Sequence, residues 1–492
     1  MERKVLFGFA PTPDERDRFF STDATSVSYA AAPVTTEIDK GDIKADYVKE
    51  IYHPVNFREG ASTRELVNII EKEKVNLLAL SMTYDSYYVA LQLARAAKNL
   101  NPDLVTVFGG PHLDEVYDKR VMTKMPNLAV LPKHEDIVDF VIAGEGENTL
   151  KEIIKDSIVA EDPKSLKQRV SERRSEYVAL DGKSKVIFSN KSTPNIIETQ
   201  GNSLDLSSLP IRRRDLANDT HNYGFTCFTD GEGKLVKSTS TLSHRGCKGM
   251  CIFCSEAEPY HHRSVDNILF EVNHLKDKGY KAVFFDDSTF NDYEDYDELI
   301  SRLGETGLQF GGLTRFDKLQ DPREVKKLAD SGFVYFYCAI EQFDDLSLRK
   351  MGKQTRTLQI DHAIENLKTM GIHLGVSILF GFPFETPESI ESTLTYTANK
   401  CKQGAIDYVS MSLLTFHPKT SIMNTPEGRQ TIHKLDLDRP YPHHGYPWNT
   451  FEEGAGYHPE HVTEDYVKRI AERANELMGK YLVRNMDKAQ MR

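Results

Sequence analysis

The chain is short of several things, and each shortage excludes a class of protein. It has one tryptophan and six cysteines in 492 residues. So few thiols cannot staple a secreted scaffold; they suit a reducing cytoplasm with one metal site. No apolar run approaches the ~20 residues of a membrane-spanning helix. Cations are outnumbered as well: 62 Lys and Arg face 74 Asp and Glu, a net charge of −12. A protein that coats nucleic acid draws on a surplus of cations, so nucleic acid is not the expected partner. Met1-Glu2-Arg3-Lys4 runs directly into a strand-like segment, with no signal-peptide pattern.

What is present is concentrated. Cys247, Cys251 and Cys254 stand at C-x3-C-x2-C spacing, while Cys227, Cys338 and Cys401 are scattered. Three thiolates in one tight loop suit an iron–sulfur cluster that keeps one iron open. Structural zinc would normally need a fourth ligand in paired C-x2-C style, and a simple electron carrier a fourth cysteine. Cys338, on a strand, reads as a small buried apolar residue.

Two α/β regions flank this loop's start. In the first, strand-like runs at 5–9, 76–81, 105–108 and 140–143 alternate with helical patterns, one at 87–100. Ser62-x-x-Glu65 is a capping box. Such alternation predicts a Rossmann-like, doubly wound parallel sheet over 1–155, with ligands beyond the carboxyl ends of the strands. Ser81, Gly109-Gly110-Pro111-His112 and Gly144-Glu145-Gly146-Glu147 fall at those ends. Tight strand-to-helix turns alone would also account for the glycines. A polar connector follows over 156–235, with a charged helical piece at 165–175 and three arginines at Arg212-Arg213-Arg214.

The second region, 236–425, repeats strand then helix six times, with strands at 236–242, 282–285, 308–313, 333–339, 373–380 and 408–414. Six units are too few to close an eight-stranded barrel, so a partial (β/α)6 TIM-type barrel is expected, its active groups at the carboxyl ends of the strands. Those ends carry the cysteine loop, Asp286-Asp287, Arg315, Glu341-Gln342, Gly381-Phe382-Pro383-Phe384-Glu385 and His417. Helix capping explains single acids there, but not polar residues at the same end of six strands. The remainder, 426–492, reads as a small C-terminal extension. Its loop is rich in His, Pro and aromatics (His433, Tyr441, His443, His444, Tyr446, Trp448, His458, His461), and a helix follows at 464–482.

The cysteine spacing with Phe253 before the last cysteine, together with these strand ends, closely resembles the radical SAM superfamily over 236–425. The Gly-Gly-Pro-His and Ala-Gly-Glu-Gly-Glu strand ends resemble the cobalamin-binding domain that precedes many such catalytic domains. The resemblance implies that Cys247, Cys251 and Cys254 ligate a [4Fe–4S] cluster whose open iron takes S-adenosylmethionine (SAM). It further implies that Asp286 and Asp287 meet the methionyl amino group, that Arg315 pairs with the carboxylate, and that Gly381, Phe382 and Pro383 approach the adenine. Glu341 would reach the ribose or the substrate; Gln342 after it departs from the family's Gly-Ile-Glu-Ser. Met351-Gly352-Lys353 matches the family's spacing between strands four and five. Ser81, Gly109, Gly110, His112, Gly144, Glu145 and Gly146 would face cobalamin. The Asp-x-His-x-x-Gly motif of other cobalamin domains is absent, and His53 stands near its place without the Asp and Gly, so cobalamin would bind without a histidine ligand.

These parts imply an enzyme that reductively cleaves SAM to a 5′-deoxyadenosyl radical, using a one-electron donor such as flavodoxin or ferredoxin. The favoured outcome is cobalamin-dependent methylation of an unactivated carbon of a small molecule. The alternatives are a radical cyclase, dehydratase, epimerase or rearrangement enzyme, in which the N-terminal domain transfers no methyl, and a non-enzymatic iron–sulfur or zinc protein.

Overall fold

A computed structural model describes residues 4–9, 47–51, 67–82 (apart from 69 and 73), 87–110, 113, 137–179 (apart from 161), 185–187, 195–198, 204–211, 227–256, 260–417, 419–432 and 458–482. The capping box at 62–65, His53, His112, the three arginines at 212–214 and the histidine- and tryptophan-bearing loop at 433–457 lie outside the described residues. The chain divides near residue 221 into two compact units. Among the described residues no helix is long and apolar enough to cross a membrane.

The first unit contains β1 (Lys4–Phe9), β2 (Tyr47–Ile51), β3 (Leu77–Ser81), α1 (Tyr87–Leu100), β4 (Val105–Gly109), β5 (Phe140–Ala143), α2 (Glu147–Val159), α3 (Pro163–Glu172), α4 (Arg174–Ala179), β6 (Lys185–Ile187) and β7 (Asn195–Glu198). The strands form one sheet in the order β2-β1-β3-β4-β5-β7-β6, parallel except for the last pair. Leu77, Leu78, Ala79 and Leu80 are all buried, as expected of a parallel strand covered on both faces. The order reverses between β1 and β3, the usual place for a ligand in a doubly wound sheet. Two strands come from the stretch expected as a polar connector: β6 and β7 pair with each other and extend the sheet at β5. A buried carboxylate ties the layers together. Asp139 accepts from Lys98 on α1 at 2.6 Å and from the Thr106 N–H on β4 at 2.9 Å, and pairs with Lys167 on α3 at 2.9 Å. Burial alone would raise its pKa; the two lysines more than offset this and hold it below the usual carboxylate range.

The second unit contains β8 (Ser238–Thr241), β9 (His244–Arg245), β10 (His261–His262), α5 (Val265–Asp277), β11 (Ala282–Phe285), α6 (Tyr296–Gly304), β12 (Gln309–Thr314), α7 (Phe316–Leu319), α8 (Pro322–Asp330), β13 (Phe333–Glu341), α9 (Asp345–Lys350), α10 (Thr357–Thr369), β14 (His373–Phe380), α11 (Pro387–Lys402), β15 (Tyr408–Leu413), α12 (Pro426–Ile432) and α13 (Glu464–Met478). Six strands make an open, all-parallel sheet in sequence order, β8-β11-β12-β13-β14-β15. This is the expected α/β partial barrel.

Strand periodicity of two sorts its side chains. Val283, Phe285, Phe310, Phe336, Cys338, Val376 and Val409 pack with helix residues such as Val272, Leu299, Leu328 and Ile364 in one core. The alternate residues form rows of their own across the sheet, Phe284 beside Gly311 and Tyr335, and Ala339 beside Ser377 and Ser410. Cys338 therefore belongs to the helix-facing core, where burial pushes its thiol up. At the far edge Leu482 bridges Val409 of β15.

Candidate active site

The cysteine loop is a closed excursion. At its base β9 and β10 pair antiparallel, Arg245 opposite His261 and His244 opposite His262, and the Arg263 N–H donates to Ser243 O at 2.9 Å. The histidine pair His261-His262 thus helps to pin the loop. Buried Arg263 adds an ion pair with Glu271 on α5 at 2.7 Å. Asp287, just past β11, takes three hydrogen bonds: from the Ser243 N–H (2.6 Å), the Ser243 hydroxyl (2.7 Å) and the His244 N–H (3.1 Å). It is 1% exposed. This corrects the expectation that Asp287 faces the methionyl group, because its carboxylate is already engaged in fixing the loop's first residues. Asp286 is partly exposed and donates its N–H to Thr241 O at 2.8 Å. His244 is buried against Tyr260, ring centroids 5.1 Å apart, and burial lowers its pKa despite Asp287 nearby.

Within the loop, the Gly249 N–H donates to Cys247 Sγ at 3.2 Å, and the Thr289 hydroxyl lies 3.4 Å from the same sulfur. Asp292 accepts from the Lys248 N–H at 3.0 Å. Gly249 lies close to the site: a Cβ there would lie 2.9 Å from Arg315 Nη1 and 3.2 Å from Cys247 Sγ, displacing the guanidinium and crowding the sulfur. The loop is also clamped from outside. Its Ile252 N–H donates to Met351 O (3.0 Å) and its Ile252 O accepts from the Ile422 N–H (2.8 Å). Gly352, at φ +70°, sits where a Cβ would be 2.5 Å from Met250 O.

The ends of β12 and β13 converge on the same loop. Arg315 reaches Lys353 O at 3.4 Å and has Asp317 at 3.5 Å. Glu341 closes β13 after a register irregularity against β14 and adopts φ +60°. A non-glycine residue held there implies that its surroundings over-determine it. Its Oε1 accepts from Lys353 Nζ at 2.9 Å, both side chains being about nine-tenths buried. Burial would lower the Lys353 pKa, but Glu341 and Cys251 outweigh it and hold the ammonium charged. Burial pushes the Cys251 thiol up, with Lys353 and Arg315 pulling it down and Glu341 raising it. Cys254, at the loop's exposed rim, is desolvated by surrounding chain and pushed up to about 12.

From β14 comes the Gly381-Phe382-Pro383 turn. The buried Phe382 ring meets Phe253 edge-on at 5.3 Å, which accounts for an aromatic before the last cysteine. The Gly381 N–H donates to both oxygens of Glu385, at 2.8 and 3.0 Å. Gln342 and Tyr466 of α13 donate to the same carboxylate. Burial raises the Glu385 pKa, and these donors only partly offset it. His458 bonds Leu414 O at 2.7 Å and so packs the C-terminal segment on the barrel.

The structure thus brings Cys247, Cys251, Arg315, Glu341 and Phe382 around one loop. Lys353, Gly249, Asp292 and Tyr466 join them without a predicted role; the Met-Gly-Lys spacing was the available signal for Lys353. Among the described residues no three His, Cys, Asp or Glu side chains converge on a single ion. A cluster makes a different demand, three sulfurs each on its own iron, and Cys247, Cys251 and Cys254 offer three free thiols within one loop.

In the first unit, Ser81, Gly109, Gly110, Gly144 and Gly146 lie partly exposed at the carboxyl edge of β3, β4 and β5, and Glu145 is buried. Gly110, at φ +102°, packs so closely that a Cβ would meet the Met82 N at 2.6 Å and Ser81 Oγ at 2.7 Å.

Comparison with known proteins agrees with this geometry. Residues 241–397 match the Radical SAM superfamily. An uncharacterized methyltransferase of Pyrococcus horikoshii is 25% identical over 85% of this chain and 82% of its own length. The anaerobic magnesium-protoporphyrin IX monomethyl ester cyclase of Rubrivivax gelatinosus is 24% identical over 67% of this chain and 55% of its own length. Among solved structures, the radical SAM methyltransferase TsrM of Kitasatospora setae, with cobalamin and a [4Fe–4S] cluster bound, superposes with TM-score 0.59 at 16% identity, covering 88% of this chain and 78% of that one. Residues 241–397 thus carry a radical SAM domain, and the chain shares its fold with TsrM.

Proposed function

We propose that this enzyme is a cobalamin-dependent radical SAM methyltransferase acting on an unactivated carbon of a small molecule. The observation that carries the reading is the convergence of four strand ends on the cysteine loop, around partly buried Arg315 and buried Glu341 and Lys353. Cys247, Cys251 and Cys254 would hold a [4Fe–4S] cluster, which supplies the electron that cleaves SAM. Arg315 suits the SAM carboxylate and partly exposed Asp286 its amino group. The backbone of Gly381, Phe382 and Pro383 suits the adenine, and Glu341 the ribose or the substrate. Asp287 holds the loop in place for them.

At the edge of the N-terminal sheet, Ser81, Gly109, Gly110, Gly144 and Gly146 offer small, partly exposed residues along the ends of β3, β4 and β5, with buried Glu145 among them. Such a surface fits a broad planar cofactor, and cobalamin there would supply the methyl-carrying chemistry. The partners are a small-molecule substrate and a one-electron donor such as flavodoxin or ferredoxin, in the cytoplasm.

The similarity to the ester cyclase supports a second reading, in which the same radical start ends in ring closure, dehydration, epimerisation or rearrangement. Anaerobic purification with iron and cobalamin analysis, followed by nucleoside products, separates the two. Methyl transfer predicts bound cobalamin and release of both 5′-deoxyadenosine and S-adenosylhomocysteine. 5′-Deoxyadenosine alone, from protein that takes up no cobalamin, selects the second reading. A chain that assembles no cluster overturns both.

A further inference from the structure

Lys353 is a buried cation that connects the clamp on the cysteine loop to the end of β13. Its backbone belongs to the clamp on the loop: Gly352 packs on Met250 and Cys251, Met351 O holds the Ile252 N–H, and Lys353 O accepts from Arg315. Its side chain leaves that clamp and ends 2.9 Å from Glu341, the residue in the left-handed conformation at the end of β13. Both side chains are about nine-tenths buried. A buried carboxylate without a partner would be costly, and so would a buried ammonium. Together they form a fixed pair on a segment whose Gly352 packs against the Cys251 backbone, and the ammonium acts electrostatically on the Cys251 sulfur.

We propose that Lys353 is a positioning residue of the active site: its ammonium aims Glu341 at the SAM-binding mouth and places a fixed positive charge beside the cluster ligand Cys251. The proposal rests on the cluster assignment above. Two consequences follow from electrostatics. A reduced cluster carries one more negative charge than an oxidised one, so a neighbouring cation favours reduction and raises the midpoint potential. Losing the pair also releases Glu341 from its strained aim, so SAM binds more weakly even where the cluster is intact. Lys353 takes no part in bond making, and an arginine, also cationic, preserves the effect in large part.

The test compares Lys353→Met, Lys353→Gln and Lys353→Arg in the full-length reconstituted protein, with iron content measured first. In variants that keep the wild-type iron content, the proposal expects Met and Gln to shift the cluster midpoint to more negative potential. It expects them to weaken SAM binding by about tenfold or more, as for breaking a buried ion pair, while Arg stays near wild type in both. Met or Gln proteins with full iron and unchanged potential and affinity overturn it. If Met and Gln lose the cluster while Arg keeps it at the wild-type potential, the requirement for a cation at 353 is upheld. Loss of the cluster in all three variants makes the role merely structural and overturns it. A wild-type protein that assembles no cluster is a separate result, which removes the cluster reading itself.

Discussion

The carboxyl ends of the two sheets are built on different principles. At the barrel mouth the strand ends carry thiols, carboxylates and cations, and the carboxylates are held by specific donors: Asp287 by the Ser243 hydroxyl, Glu341 by the Lys353 ammonium, Glu385 by the Gly381 N–H and the Tyr466 hydroxyl. At the N-terminal sheet the corresponding ends carry Ser81, Gly109, Gly110, Gly144 and Gly146, of which Gly110 and Gly146 pack closely on neighbouring chain. One edge is specified by charge and sulfur, the other by the absence of side chains. The first kind of edge positions reacting groups; the second presents backbone to something broad. Damage should separate accordingly, with barrel-mouth variants losing redox chemistry and N-terminal-edge variants losing a cofactor while the cluster survives.

The largest effect should come from Cys251→Ala. It is expected to abolish cluster assembly and 5′-deoxyadenosine formation, read by iron content and by product analysis of the nucleoside. Next, Gly249→Ala forces a methyl group against Arg315 and Cys247. It should cut 5′-deoxyadenosine formation by about tenfold or more, as misplaced reacting groups do, with cobalamin uptake unchanged. Gly110→Ala is the reciprocal experiment. Strain at its positive φ should destabilise the first unit by about 1–3 kcal/mol and lower cobalamin retention, with iron content preserved. If Gly110→Ala depletes iron as much as cobalamin, the contrast between the two edges fails.

The smallest effect concerns pH. Burial holds the His244 pKa below its ordinary value, so the unfolded chain takes up that proton more readily than the folded one. The associated stability is fully present above the ordinary histidine range near 6.5 and is lost as pH falls toward the depressed folded value. Every tenfold difference in proton affinity between the folded and unfolded imidazole corresponds to about 1.4 kcal/mol of that loss. His244→Asn should flatten the acid side of the Tm-against-pH curve, and an unchanged slope would show that the loop base does not depend on a neutral imidazole.

Much of this was legible in the chain because the signals were local. The helix at Tyr87–Leu100 and the strands at Ala282–Phe285, His373–Phe380 and Phe140–Ala143 have the bounds that periodicity and flanking glycines predict. The C-x3-C-x2-C spacing located the loop, whereas the packing of Phe253 on Phe382 was visible only in the fold. What escaped was short or distant in sequence. Lys185–Ile187 and Asn195–Glu198 are too brief and too polar in context to stand out as strands, yet sheet pairing recruits both. The Glu385–Tyr466 bond spans 81 positions, and no local pattern announces it. Asp287 looked like a ligand because it sits at a strand end; only the fold shows Ser243 and His244 turning back onto its carboxylate. Lys353 was visible as part of Met-Gly-Lys, but its partner Glu341 lies 12 positions earlier, at the end of β13.

The central claim is that the cysteine loop and the strand ends around it make one site for a cluster with an open iron and for SAM. Electron paramagnetic resonance of the anaerobically reconstituted, reduced protein tests it most directly, recorded with and without SAM. The account predicts a [4Fe–4S] signal from about four irons per chain that changes on adding SAM, with 5′-deoxyadenosine appearing on turnover. A signal indifferent to SAM, or a protein that holds no cluster while remaining folded, would contradict it.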